Sequence, residues 1–159
     1  MQYKTHVALS ITIGIAALNF FPSMEPELLL YSGGLILGGL LPDIDHMRSK
    51  IGRVLPILSR IINGLFGHRA FFHSLLFIVL LAIILRDLAP ASFVYGLLLG
   101  TASHIIGDMM THRGIKLLYP IPWNIRFPLT FKTGGGIEQL LLILFIGVSI
   151  WYGKLLFLS

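Results

Sequence analysis

Long stretches of this chain carry no formal charge, and that feature limits most tightly what it can fold into. Twenty residues separate Lys4 from Glu25, 15 separate Glu27 from Asp43, 16 separate Arg69 from Arg86, 20 separate Asp87 from Asp108, and 15 separate Glu138 from Lys154. A helix that crosses a bilayer needs about 20 mostly apolar residues, within a range of roughly 17–25. The three shorter runs reach that length by taking in flanking charges, whose side chains extend to the headgroups. Five spans are predicted, near 5–22, 27–43, 70–88, 90–108 and 137–157. Composition agrees. Charged residues are 12% of the chain, about half the roughly 25% of an ordinary soluble domain. A soluble domain of this size leaves roughly 30% of its chain surface exposed, which excludes burying so apolar a chain in water.

The absence of cysteine excludes disulfides and thiolate metal sites. A net charge of +5 would suit a nucleic-acid partner only on a soluble basic face. Here the charges lie in short clusters between apolar runs, so no nucleic acid is expected. The clusters set orientation through the positive-inside rule. With the N-terminus inside, 10 of the 12 basic residues fall on the cytoplasmic side, and only Arg86 and Lys154 lie outside, with Glu25, Glu27 and Asp87. The expected protein is a multi-pass protein of the cytoplasmic membrane, N-terminus in and C-terminus out. A cleaved signal peptide is the competing reading of residues 1–22. Four further apolar runs and no clear small-x-small site speak against it.

Residues 44–69 are not expected to span. Ile51, Val54, Leu55, Leu58, Ile61, Ile62, Leu65 and Phe66 recur at three- and four-residue spacing, with Arg53, Ser59, Arg60 and Asn63 opposite. That pattern predicts an amphipathic helix in the cytoplasmic interface, with Pro56 in a first turn or at a kink. The loop 117–136 also reads as interfacial. The fold class expected is an all-α integral membrane bundle of about five transmembrane helices plus the interfacial helix, in one domain over 1–159.

All six histidines, His6, His46, His68, His73, His104 and His112, fall near the cytoplasmic surface on this topology. So do Asp43, Asp45, Asp108 and Glu138. Ionisable groups at membrane depth are costly and tend to face the bundle interior. Imidazole and carboxylate together are the donor set of Zn²⁺, Mn²⁺ or Fe²⁺. His104, Asp108 and His112 are spaced four apart, so His104 and Asp108 share a helix face. His112 joins them only if the helix continues past Thr111. Pro42-Asp43-Ile44-Asp45-His46 is a second dense cluster, where Pro42 disfavours a helical Leu41 and predicts a turn. Asp45, His46, His73, His104 and Asp108 are the strongest candidates for metal binding or catalysis. Glu138 is also read as favouring the start of its helix. Gly34, Gly38, Gly96 and Gly100 read as helix-packing positions, and Lys132-Thr133-Gly134-Gly135-Gly136 as a hinge and not a phosphate loop.

Three blocks carry a resemblance: Pro42-Asp43-Ile44-Asp45-His46, His68-Arg69-Ala70-Phe71-Phe72-His73-Ser74, and Ser103-His104-Ile105-Ile106-Gly107-Asp108-Met109-Met110-Thr111. Together with Thr5-His6 and the stretch from Gly114 to Pro120, they resemble the membrane-bound metal-dependent hydrolase family of YdjM-like inner-membrane proteins. The resemblance runs from about residue 1 to about residue 150. It implies hydrolysis dependent on one or two divalent ions, with Zn²⁺ first and Mn²⁺ or Fe²⁺ next. It picks out His6, Asp43, Asp45, His46, His68, His73, His104 and Asp108. The family block often reads His-Arg-Gly-x-Thr-His-Ser, and Ala70 and Phe72 depart from it here.

The expected function is a membrane-embedded metal-dependent hydrolase, with a phosphoester of a lipid or lipid-linked substrate as its target. His6, Asp45, His46, His68, His73, His104 and Asp108 are the expected ligands. Asp43 is the expected general base or a carboxylate orienting a ligand. Arg69 is the expected phosphate contact, and His112, Thr111 and Glu138 are supporting candidates. The alternative is a non-enzymatic metal-binding protein, or a metal or proton transporter. Transport fits less well, because the outer halves of the spans carry few polar residues.

Overall fold

In a computed structural model, which describes residues 1–21 and 26–158, the protein is all-helical apart from two isolated β-bridges. The helices are α1 (Tyr3–Phe20), α2 (Leu28–Leu40), α3 (Lys50–Val54), α4 (Pro56–Phe66), α5 (Leu75–Leu85), α6 (Ala91–Met109) and α7 (Gly136–Leu158). Short 3-10 turns occupy Leu41–Asp45 and Phe71–His73. Each of the five apolar runs forms a helix. Among the described residues, two stretches, Leu28–Asp45 and Gly136–Leu156, are long and apolar enough to cross a membrane by length and composition. α1 and α6 have 18 and 19 residues, but Ser, Thr, His and Gly are mixed into them. α5 has only 11 residues, about 16 Å at 1.5 Å per residue, against a hydrocarbon core of about 30 Å. Glu25 lies outside the described residues.

α2 and α6 form the closest pair. Gly34, Gly38, Gly96 and Gly100 make it possible, because a Cβ at any of them would collide with backbone of the opposite helix. At Gly38 it would meet the Leu97 carbonyl, and at Gly100 the Leu35 carbonyl. Small residues at four-residue spacing permit this approach where the bilayer offers no hydrophobic drive between helices. α1 packs against α2, α6 and α7. The Tyr31 hydroxyl donates to the Gly14 carbonyl at 3.0 Å, and Thr12 Oγ1 lies 2.9 Å from Ser149 Oγ.

The single amphipathic helix expected over 44–69 is instead two helices after a turn. Pro56, which lacks an N–H, opens α4 at its first turn and breaks it from α3. α4 is amphipathic with its apolar side outward. Ile57, Ile61 and Leu65 are exposed, while Ser59 is buried and Asn63 donates to the Asp45 carbonyl at 2.7 Å. Ser49 caps α3 by accepting from the Gly52 N–H at 2.9 Å, and its hydroxyl donates to the Asp43 carbonyl at 2.7 Å. Leu41 takes right-handed helical angles despite preceding Pro42, because the chain narrows into a 3-10 turn there instead of leaving the helix.

Candidate metal centre

The buried end of α6 supplies two facing groups, and α1, the Leu41–Asp45 turn and the Phe71–His73 turn surround them. His6, His73, His104 and Asp108 are all fully buried. The close α2–α6 contact sets the first ring: His104 Nδ1–H donates to the Gly39 carbonyl at 2.7 Å. A carbonyl only accepts, so Nδ1 carries the proton and Nε2 keeps its lone pair. His6 stacks on His104 with ring centroids 3.6 Å apart and planes 6° apart. His6 Nε2 lies 3.3 Å from Asp108 Oδ1. His73 Nε2 lies 3.5 Å from Asp108 Oδ2, and His104 Nε2 lies 4.0 Å from that oxygen and 3.9 Å from Asp43 Oδ1.

Among the described residues, two groups have donor atoms all within 4.8 Å of one another: His6, His104 and Asp108, and Asp43, His73 and His104. Metal–ligand bonds of about 2.0–2.2 Å place tetrahedral donors about 3.4 Å apart, close to the spacings found. His6 Nε2, His73 Nε2 and His104 Nε2 are buried without a hydrogen-bond partner, and each lies within 4.0 Å of an oxygen of Asp108, whose Oδ2 is itself paired with Arg69. Unsatisfied buried polar atoms are costly, and a cation would satisfy these together. The donor set therefore fits a divalent ion. A neutral imidazole protonated on Nδ1 has one lone pair, so His104 serves one ion and the two groups are two sides of one site.

Asp45 stands behind this cluster. Its Oδ1 accepts from His68 Nδ1 at 2.7 Å, and its Oδ2 accepts from the Arg69 N–H at 2.9 Å and lies 3.2 Å from His73 Nδ1. With both oxygens engaged, Asp45 orients His73 and His68 in the manner of a carboxylate–histidine–metal relay. Asp43, expected to be the base or an orienting carboxylate, brings Oδ1 to 3.9 Å from His104 Nε2, at the edge of the ligand cluster. In a 3-10 turn of about three residues per turn, residues two apart face different sides, so Asp43 and Asp45 meet different surroundings, and Asp45, an expected ligand, lies outside both ligand groups.

The remaining candidates separate clearly. Arg69 has φ +61°, a left-handed conformation uncommon outside glycine. It sends Nη2 to Asp108 Oδ2 at 2.8 Å and Nη1 to Thr111 Oγ1 at 2.9 Å. The Thr111 hydroxyl in turn donates to the Asp108 carbonyl at 2.8 Å. The backbone nitrogen of Met1 also contacts Asp108. His46 stacks on His68 at 4.6 Å and is half-buried, outside both ligand groups. Burial, reinforced by the neighbouring His68, holds its ring below the usual imidazole range. His68 is engaged with Asp45 and also lies outside both groups. His112 is exposed and bonds Thr130 Oγ1 at 2.6 Å, because α6 stops at Met109 and the i+8 register is lost. Glu138 is buried, but both oxygens are taken by backbone: the Gln2 N–H at 2.5 Å and the Gly134 N–H at 2.6 Å. It ties the start of α7 to the start of α1, and it occupies an amide that a phosphate loop would need.

A cavity of about 930 Å³ opens beside the cluster, with Asp43, His46 and His68 on its wall. Lys4, Arg48, Lys50, Arg69, Arg113 and Lys132 line it too. Their convergence from five segments was hidden in the sequence, which singled out Arg69 alone of the six as a phosphate contact.

A sequence model described as the YdjM inner membrane protein matches residues 1–158. The chain belongs to that family. Among YdjM-family relatives, the uncharacterized protein YvsG of Bacillus subtilis (strain 168) is 42% identical over 158 residues, covering 99% of this chain and 97% of that protein. The inner membrane protein YdjM of Escherichia coli (strain K12) is 39% identical over 123 residues, covering 73% of this chain and 63% of that protein. The inner membrane protein YbcI of the same strain is 28% identical over 127 residues. No solved structure matches the chain.

Proposed function

We propose that this YdjM-family protein is a membrane-embedded metal-dependent hydrolase acting on a phosphoester of a lipid or lipid-linked substrate. The observation that carries the reading is the buried cluster of three inward imidazole nitrogens without hydrogen-bond partners, on His6, His73 and His104, around the Asp108 carboxylate and beside a cation-lined cavity. His6, His73, His104 and Asp108 would hold one divalent ion, with Zn²⁺ first among the fits and Mn²⁺ or Fe²⁺ next. A bound ion of this kind supplies Lewis acidity and lowers the pKa of coordinated water toward about 7. Asp45 fixes the His73 ring so that Nε2 faces inward. Asp43, at 17% side-chain exposure, lies where cluster and cavity meet, placed to take a proton from an attacking water. Arg69 and the surrounding lysines and arginines draw in and orient an anionic group.

The membrane arrangement belongs to the same reading: five spans, N-terminus in and C-terminus out, in the cytoplasmic membrane. It is supported by the five apolar helices and by the basic residues gathered around the cavity at one end. α5 would cross with Arg86 and Asp87 drawn to headgroup level or with local thinning of the bilayer.

The test is metal content by mass spectrometry, with phosphate release from a lipid phosphate, on detergent-purified wild type beside Asp108→Ala. Bound transition metal and phosphate release, both lost in the variant, support the reading. Wild type that takes up neither Zn²⁺ nor Mn²⁺ overturns it.

A further inference from the structure

A second cavity, of about 490 Å³, runs between α1 and α7 and is lined by Val7, Ala8, Ile11, Leu142, Ile146 and Ile150. Its wall is almost wholly apolar. Tyr3 and Lys4 line both this furrow and the cationic cavity, so the two spaces meet at the first turn of α1. Lys50 lies over the Tyr3 ring, 5.9 Å from its centroid, at that joint. From Tyr3 to Ile11 the furrow follows about 12 Å of helix axis. An anionic group in the cationic cavity and a hydrocarbon chain along the furrow are the two ends of one amphiphile.

We propose that the α1–α7 furrow holds the hydrocarbon chain of a lipid whose phosphate-bearing headgroup lies in the cationic cavity, with Tyr3 and Lys4 at the junction. This rests on the cavity being the phosphate site of the proposed hydrolase, and it adds where the chain of the substrate lies. Three features support that occupant. Six cationic side chains and one acid, Asp43, line the cavity, and among the described residues only Arg69 of the six is paired with an acid behind the wall, Asp108, so the cavity favours an anion. The furrow offers no charged side chain beyond Lys4 at its mouth, so it favours an alkyl chain. Ile146 and Ile150 are exposed on the outer side of α7, so the furrow is open to lipid along its length.

The probe is hexadecyl phosphate carrying a photoreactive diazirine in its chain, added to the Zn²⁺-loaded, detergent-purified full chain. Adducts are mapped by peptide mass spectrometry. The expected result is enrichment by several-fold on residues 7–11 and 142–150 over α5, which is more apolar than either. Unlabelled hexadecyl phosphate should remove that enrichment, and hexadecanol should not. Ala8→Trp, or Ile146→Trp from the other wall, should lose the adducts while keeping the wild-type metal content. Absent adducts, labelling spread evenly over α5 and α7, or equal competition by hexadecanol would overturn the proposal. Failure of the hydrolase reading registers separately, as furrow labelling that persists without release of inorganic phosphate from the probe.

Discussion

Asp43 and Asp45 stand two residues apart and meet different surroundings. Asp45 has both oxygens occupied by His68, His73 and the Arg69 amide, whereas Asp43 reaches the His104 ring from the cavity side. Their substitutions should therefore differ from those at the cluster. His104→Ala and Asp108→Ala each remove a donor and should abolish tight metal binding. Asp45→Asn removes the charge that orients His73 and replaces one accepting oxygen by a donor, and should weaken metal affinity by roughly 10–100-fold without abolishing it. Metal titration of the three purified variants separates the cases. Asp45→Asn binding as weakly as Asp108→Ala would make Asp45 a direct ligand.

At the scale of elements, the α2–α6 contact positions the site, since His104 is oriented by a carbonyl of α2. Gly38→Val would drive a side chain into the Leu97 carbonyl, whereas Gly33→Ala on the same helix would meet nothing within 4 Å. The first should destabilise by roughly 1–3 kcal/mol or more, as overpacking does. The second should be close to neutral or slightly stabilising. Thermal unfolding in detergent reads both, and equal melting temperatures would remove the glycine contact as the organising feature. Local signals made much of this legible in the sequence. The charge-free runs marked each apolar helix, Pro56 marked a helix start, and the spacing of His104 and Asp108 put both on one buried face. What stayed hidden depended on contacts across the chain. α6 ends at Met109, where Thr111 folds back on the Asp108 carbonyl, so His112 leaves the face its spacing assigned. α5 is shorter than its apolar run because Ser74 caps it, accepting from the Phe77 N–H at 3.2 Å. Asp45 took its station from His68, Arg69 and His73, and Glu138 in part from Gln2 at the other end of the chain, which spacing does not encode.

For the whole molecule, the basic residues that argue for orientation also line the cavity beside the metal cluster. Orientation therefore decides which compartment the site opens to and which leaflet would supply the proposed lipid. The N-terminus-in arrangement puts Lys116, between α6 and α7, on the cytoplasmic side, and Leu88, between α5 and α6, outside. The chain has no native cysteine, so single-cysteine variants need no altered background. Lys116→Cys should resist a membrane-impermeant maleimide in intact cells and react once the cells are permeabilised. Leu88→Cys, at a residue 75% exposed, should react in intact cells. The reverse pattern would turn the cationic cavity outward. That would leave the metal cluster intact and assign its phosphate-bearing lipid to the outer leaflet. Labelling of both positions from outside would put an even number of crossings between them, and α6 would then not be a span.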